Sequence, residues 1–176
     1  MKNNFKDSLK FTLSQEGGWS DHPADPGGAT MKGVTLKTYS EYLGRPASKQ
    51  ELRAIPDNHL ENIYRKKYWD KVRGDDLPRG MDLCVFDFAV NSGPSRAIKI
   101  LQALCKAKPD GIIGPATLKA VNDWFIDAAP SISIDEYQHA RQHYLEAIPT
   151  FSTFGKGWTR RVKEGRDAAL ALIYGL

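Results

Sequence analysis

The chain has 176 residues, 41% hydrophobic and 26% charged, enough to bury a sizeable core as one domain or as two small lobes sharing one. Its net charge of +4 gives a mild attraction to polyanions, but the basic residues form no dense patch with interleaved aromatics, which argues against nucleic acid. No stretch approaches the ~20 apolar residues of a membrane span, which argues against membrane insertion.

The opening MKNNFKDSLKFTL is amphipathic rather than a basic region followed by an apolar one. The chain is therefore expected to emerge in the cytoplasm without a signal peptide. Phe5, Leu9 and Leu13 recur at helical spacing, and Gly17-Gly18 stops that helix. At ~100° per residue Glu16 falls close to the face of Phe5, Leu9 and Thr12. Apolar neighbours and the negative end of the helix dipole would both raise its pKa, which suits a general acid. Asp25 follows in a loop carrying Pro23, Pro26, Gly27 and Gly28, residues that let the chain bend sharply back toward the helix end. Two facing carboxyl groups are the usual requirement for cleaving a glycosidic bond. Trp19, between them, offers a face for a sugar ring or serves as a core residue beneath the loop. Thr30 either hydrogen-bonds a water or satisfies the turn.

Glu16-Gly17-Gly18, Asp25-Pro26-Gly27-Gly28-Ala29-Thr30 and Gly33-Val34-Thr35 together resemble the signature of glycoside hydrolase family 108, the lysozyme-like N-acetylmuramidases of bacteria and their phages. The resemblance implies that Glu16 is the catalytic acid. The Glu-to-Asp separation is similar to that of phage-type lysozymes, in which the aspartate and a nearby threonine handle the attacking water. Thr30 stands one position closer to the aspartate than in that pattern.

Thr35 to Leu43 reads as a short helix ended by Gly44 and Pro46, and Ser48 to Glu51 has the spacing of a capping box. Pro56-Asp57-Asn58 opens the next helix, with Asn58 and Glu61 again at capping-box spacing and Leu60, Ile63, Tyr64, Lys67 and Tyr68 on one face. Tyr64, Tyr68 and Trp69 either line a saccharide groove or pack in the core. Met81 to Val90 is apolar nearly all round, the mark of a central buried helix. Asp87 within it needs a partner, because burying a lone charge is expensive. It is either a structural carboxylate bonded to backbone or arginine, or a group that orients the catalytic loop. The family resemblance continues through Asp87 and Asn91-Ser92-Gly93, which makes Asn91 and Ser92 candidate cleft residues.

Beyond Pro94 the chain alternates helix and break. Ala97, Ile98, Leu101, Leu104 and Cys105 face a core, Lys108 to Gly111 is a turn, and Pro115 starts a helix after Gly114. Asp110-Gly111-Ile112-Ile113-Gly114-Pro115-Ala116-Thr117 resembles the repeat of peptidoglycan-binding modules. Ser133 begins a helix with Tyr137, Ala140, Tyr144 and Ile148 on one face. His139 and His143 are four apart, but no third metal ligand is near, so a solvated face is expected. Gly155 to Trp158 reads as a break before a last amphipathic helix, with Arg160, Arg161, Lys163 and Arg166 on a basic face that is solvated or touches an anionic wall. Cys84 and Cys105 are expected to be buried free thiols.

These readings give a mainly α, lysozyme-like helical fold with at most a small β-hairpin near the active-site loop. The expected organisation is a muramidase region at 1–91 and a helical peptidoglycan-binding region at 92–176 packed on it. The family resemblance implies an endolysin-type hydrolase of peptidoglycan that cleaves the β-1,4 bond between N-acetylmuramic acid and N-acetylglucosamine. Glu16 would be the general acid, Asp25 would assist water or the oxocarbenium centre, and Thr30 would help. Trp19, Tyr68, Asn91 and Ser92 are the substrate-contact candidates. No metal or cofactor is required by this chemistry. The protein would act as a monomer on glycan strands in the periplasm, with a holin or secretion system giving access. The alternatives are a lytic transglycosylase on the same bond and a non-catalytic wall-binding or secretion accessory protein.

Overall fold

The structure is a computed structural model that describes residues 4–23 and 27–176. It is mainly α-helical, as expected. Helix α1 spans Asn4–Gln15 and buries Phe5, Ser8, Leu9 and Thr12. Three two-residue strands follow, β1 Trp19–Ser20, β2 Thr30–Met31 and β3 Val34–Thr35, in an antiparallel sheet of that order. Trp19 pairs with Met31, and Met31 with Val34. The two residues between β2 and β3, Lys32 and Gly33, both have positive φ (47° and 77°), the geometry of a type I′ hairpin whose twist matches its strands.

Helix α2, Leu36–Leu43, is capped by the Thr35 hydroxyl, which accepts from Thr38 N–H, and ends at left-handed Gly44. Helix α3, Lys49–Arg53, starts with the complete Ser48–Glu51 capping box. Helix α4 spans Asp57–Tyr64, and here the local signal misled: its N-cap is Pro56, without a side-chain cap, so Asn58 lies inside the first turn. A π-helical turn, Arg65–Trp69, and a 3-10 turn, Gly74–Asp76, complete this half. Gly74 is required because a Cβ there would overlap the Trp69 indole, 2.7 Å from Cζ2.

Helix α5, Met81–Ser92, is the centre of the molecule, with every side chain from Met81 to Ala89 buried. It packs against α1 and against α6 (Pro94–Leu104), α8 (Pro130–Glu146) and α9 (Phe151–Tyr174). One cluster runs from Phe5 through Trp69 and Phe86 to Tyr137 and Ala169, so both halves share a core. Phe86 meets Phe5 and Trp69 edge-on, at ring separations of 6.0 and 5.4 Å. Helix α7 spans Pro115–Asp127, with proline in its first turn. The loop before it is organised by buried Gln102, which donates to Asp110 Oδ1 and the Ile112 carbonyl and accepts from Gly111 N–H.

Two helix boundaries differ from expectation. Helix α8 begins at Pro130 rather than Ser133, because Ala129 holds a positive φ of 72° and Pro130 supplies the first-turn geometry. Helix α9 continues through Gly155 to Trp158 without a break. Gly155 stays helical because the Phe151 ring occupies its missing side-chain space, within 2.8 Å of where a Cβ would stand. Cys84 and Cys105 are buried and unpaired. Among the described residues no helix is long and apolar enough to cross a membrane.

Candidate functional site

Glu16 is the first residue after α1, at the point where Gly17 and Gly18 turn the chain toward β1. The apolar niche expected around it is not its surrounding. Phe5 and Leu9 go into the core, and the Thr12 hydroxyl donates to Asp87 Oδ1 at 2.9 Å. Glu16 reaches an arginine instead: Arg161 Nη1 donates to its Oε1 at 2.8 Å, and its side chain remains 20% exposed. The second oxygen, Oε2, lies against the hairpin tip, 3.1 Å from where a Cβ on Gly33 would stand. Only a glycine lets the backbone come this close while holding a positive φ.

The tip is fixed from the other side by Tyr64, whose hydroxyl donates to the Lys32 carbonyl at 2.8 Å. Burial pushes the Tyr64 hydroxyl pKa well up, and the Glu16 charge adds to that. Tyr68, packed on Tyr64 at a ring separation of 5.6 Å, is raised by the same two causes in the same order. Both tyrosines are therefore neutral neighbours of the carboxylate. Tyr68 is the more exposed of the two and belongs to the π-helical turn, a distortion frequent at functional sites.

Behind Glu16 lies a buried ionic cluster. Arg161 donates to Asp87 through Nη2 (2.8 Å to Oδ1) and Nε (3.0 Å to Oδ2). Arg141 Nη2 stands 2.9 Å from Asp87 Oδ2, and its guanidinium lies over the Phe88 ring at 5.0 Å. Arg141 and Asp87 are wholly buried. Burial opposes the charge on Asp87, yet the two guanidinium groups and the Thr12 hydroxyl outweigh it and hold the carboxyl below its ordinary pKa. Arg161 loses by burial but is raised by Asp87 and then by Glu16. Two carboxylates and two guanidiniums thus balance. Asp87 is a structural carboxylate paired with arginine, and through Arg161 it also fixes the group that holds Glu16.

This corrects the basic face expected of the last helix. Arg161 is 8% exposed and turned inward, away from solvent. Neither it nor Arg141 announces itself by residue type. The available signal was the position of Arg141 on the same apolar face as Tyr137 and Tyr144, in a chain whose buried Asp87 needed a cation.

The other sequence candidates are spread around this cluster. Asp25 lies outside the described residues. Thr30 sits half-buried in β2, opposite Ser20 and Thr35. Trp19, half-buried in β1, lies beneath the Arg53 guanidinium at 5.6 Å from the ring centre. Asn91 is one turn beyond Asp87 on α5. The helices run antiparallel, Gly80 meeting Ile173 near one end and Asp87 meeting Arg161 further along, and Asn91 is half-buried. Ser92 donates to Asn91 Oδ1 and lines a pocket of about 430 Å³ with Arg96, Lys99 and Tyr144.

A family model described as glycosyl hydrolase 108 matches residues 9–93, and one described as a predicted peptidoglycan domain matches residues 96–163. Among solved structures, that of Brucella abortus SagA is similar, with 46% identity and a TM-score of 0.84 over 99% of this chain and 98% of that one. No curated protein matches the chain.

Proposed function

Because the chain belongs to the glycosyl hydrolase 108 family and carries a peptidoglycan domain, it is a glycoside hydrolase of peptidoglycan, and we propose that it is a muramidase with Glu16 as its general acid. The bond cleaved is the β-1,4 linkage between N-acetylmuramic acid and N-acetylglucosamine. One observation carries the reading: Glu16 is a partly exposed carboxylate with one oxygen fixed by Arg161 and the other against the Gly33 turn. A carboxyl group held at one oxygen and turned to the hairpin tip with the other is aimed, and aiming is what general acid catalysis needs.

In this reading Glu16 protonates the glycosidic oxygen as the bond opens. Asp25, on the loop that leads from β1 to β2, activates water or steadies the oxocarbenium-like centre, and Thr30 assists. Arg161 orients Glu16 without touching the sugar, and Tyr68, Trp19 and Asn91 supply contacts for the strand. The chemistry acts on the wall after release into the periplasm.

Digestion of purified sacculi with mass analysis of the fragments tests the reaction type. Hydrolysis at muramic acid leaves new reducing ends that carry the mass of one water. Products ending in 1,6-anhydromuramic acid would instead identify a lytic transglycosylase, and reducing ends at glucosamine would identify the other glycosidic bond.

A further inference from the structure

Arg141, on α8, is joined to Glu16 through two intermediates: it pairs with Asp87, Asp87 with Arg161, and Arg161 with Glu16. Its side chain is wholly buried and lies over the Phe88 ring. Nη2 stands 2.9 Å from Asp87 Oδ2, while Nε and Nη1 have no hydrogen-bond partner among the described residues. A buried guanidinium with unused N–H groups is costly, and replacing a buried ion pair by packed neutral groups is often harmless to stability. What a packed neutral group does not supply is charge.

Asp87 is held as a carboxylate by its two arginines and the Thr12 hydroxyl. It cancels one of the two guanidiniums, so the group behind Glu16 keeps one net positive charge. The other titratable side chains around it add none. Burial raises the Tyr64 and Tyr68 hydroxyls beside Glu16, and the Cys84 thiol and Tyr137 hydroxyl beside Arg141, so all four are neutral near pH 7. Asp82 lies at the far end of α5, bonded to Asn4 and two backbone N–H groups. Glu164 of α9 is exposed and accepts from Gln15 at the surface. Lys32, at the hairpin tip, turns its ammonium to Asp57.

We propose that Arg141 is a positioning residue for Glu16, acting through Asp87 and Arg161 and not on the sugar. By balancing the charge of Asp87 it leaves Arg161 to face Glu16 as an uncancelled cation. Negative charge develops on Glu16 as its proton leaves, and a positive charge fixed in advance stabilises it. Asp87 and Arg161 alone would offer Glu16 the same hydrogen bond with no net charge behind it. This role rests on the reading of Glu16 as the general acid.

The test is the pH dependence of sacculus digestion by the full chain, with melting curves alongside. Loss of the proton from the acid sets the high-pH limb of that profile. Less positive charge behind the acid lets it keep its proton to higher pH, and more makes it lose the proton sooner. Arg141→Gln removes the charge but keeps an N–H for Asp87, and is expected to move the limb up by about one unit. Asp87→Asn removes the opposing charge and is expected to move it down by about as much. The double variant again has one net positive charge and no buried anion, and is expected to bring the limb back to the wild-type position. A purely structural Arg141 would lower the rate at every pH and move no limb. Each single variant gives its sign alone, so the test survives if one of them fails to fold. Limbs that stay in place in the single variants, move in the same sense in both, or stay displaced in the double would overturn the proposal. Unmoved limbs beside an inactive Glu16→Gln refute the role of Arg141 alone. A Glu16→Gln variant that digests sacculi at the wild-type rate refutes the acid reading itself.

Discussion

Arg161 Nη1 donates to Glu16 Oε1 across 2.8 Å, joining residues 145 positions apart. The same guanidinium grips buried Asp87 through its two other nitrogens. The C-terminal helix therefore closes on the candidate site that begins at the end of the first, and under the proposed reading the ionic cluster both stabilises the fold and positions Glu16. Arg161→Met removes one of the two arginines that pair with Asp87, leaving Arg141, and is expected to cost about 3–5 kcal/mol, as loss of one member of a buried pair does. Urea denaturation measures this. Arg161→Lys has one nitrogen where three are used, so it is expected to restore part of the stability and little of the activity. Full activity in a Lys variant would show that Glu16 needs no aiming from α9.

Asp82 and Asp87, both on α5, respond to pH in opposite senses. Burial raises the Asp82 carboxyl from 3.8 to about 6, against the lowering effect of hydrogen bonds from Asn4, Leu83 and Gly80. The folded chain thus binds this proton more tightly than the unfolded chain. Its contribution to stability is fully present below the unfolded value and is lost as pH rises from about 4 to about 6. Asp87, held low, contributes above its ordinary value of 3.8 and loses that contribution as pH falls through its folded pKa. In Asp82→Asn the new carboxamide keeps the two backbone bonds and can donate to Asn4 Oδ1, which has no partner. The variant is expected to gain on wild type by roughly 2–3 kcal/mol between pH 4 and pH 7. Urea midpoints at the two pH values check it, and parallel curves would contradict it.

Gly33→Ala is expected to separate activity from stability. The added Cβ would overlap the Tyr64 hydroxyl and press on Glu16 Oε2, at a φ of 77° that alanine resists. The backbone strain is worth about 1–2 kcal/mol, which a chain with a shared core survives. Displacing Glu16 by even ~1 Å is worth about 10² in rate. A melting curve and a turbidity assay on sacculi read the two effects side by side.

What was legible in the sequence was local or saturating. Ser48 and Glu51 find each other three residues apart, so their capping box could be read directly. The unbroken apolar run from Met81 admitted one place, the centre, and the need of Asp87 for a partner, backbone or arginine, followed from its burial. What was not legible depended on distant partners. Arg161 lies in a run of basic residues, and only the meeting of α9 with α5 turns it inward while Arg160 stays outside. Gly155 carries a stop signal that the Phe151 ring cancels. Asn58 has capping spacing but loses the position to Pro56, two residues earlier. Glu16 was singled out by motif, and its neighbours were misjudged, since helical periodicity sees α1 and not the helix that closes over it.

The most direct measurement is the rate at which Glu16→Gln releases muropeptides from purified sacculi, beside a wild-type protein with the same melting temperature. Glutamine keeps the size of the side chain and an oxygen for Arg161 but has no proton to give. A fall of roughly 10²–10⁴, with sacculus binding intact, is the expected result. Release within a few-fold of wild type from a well-folded variant would contradict the assignment of Glu16 as the acid.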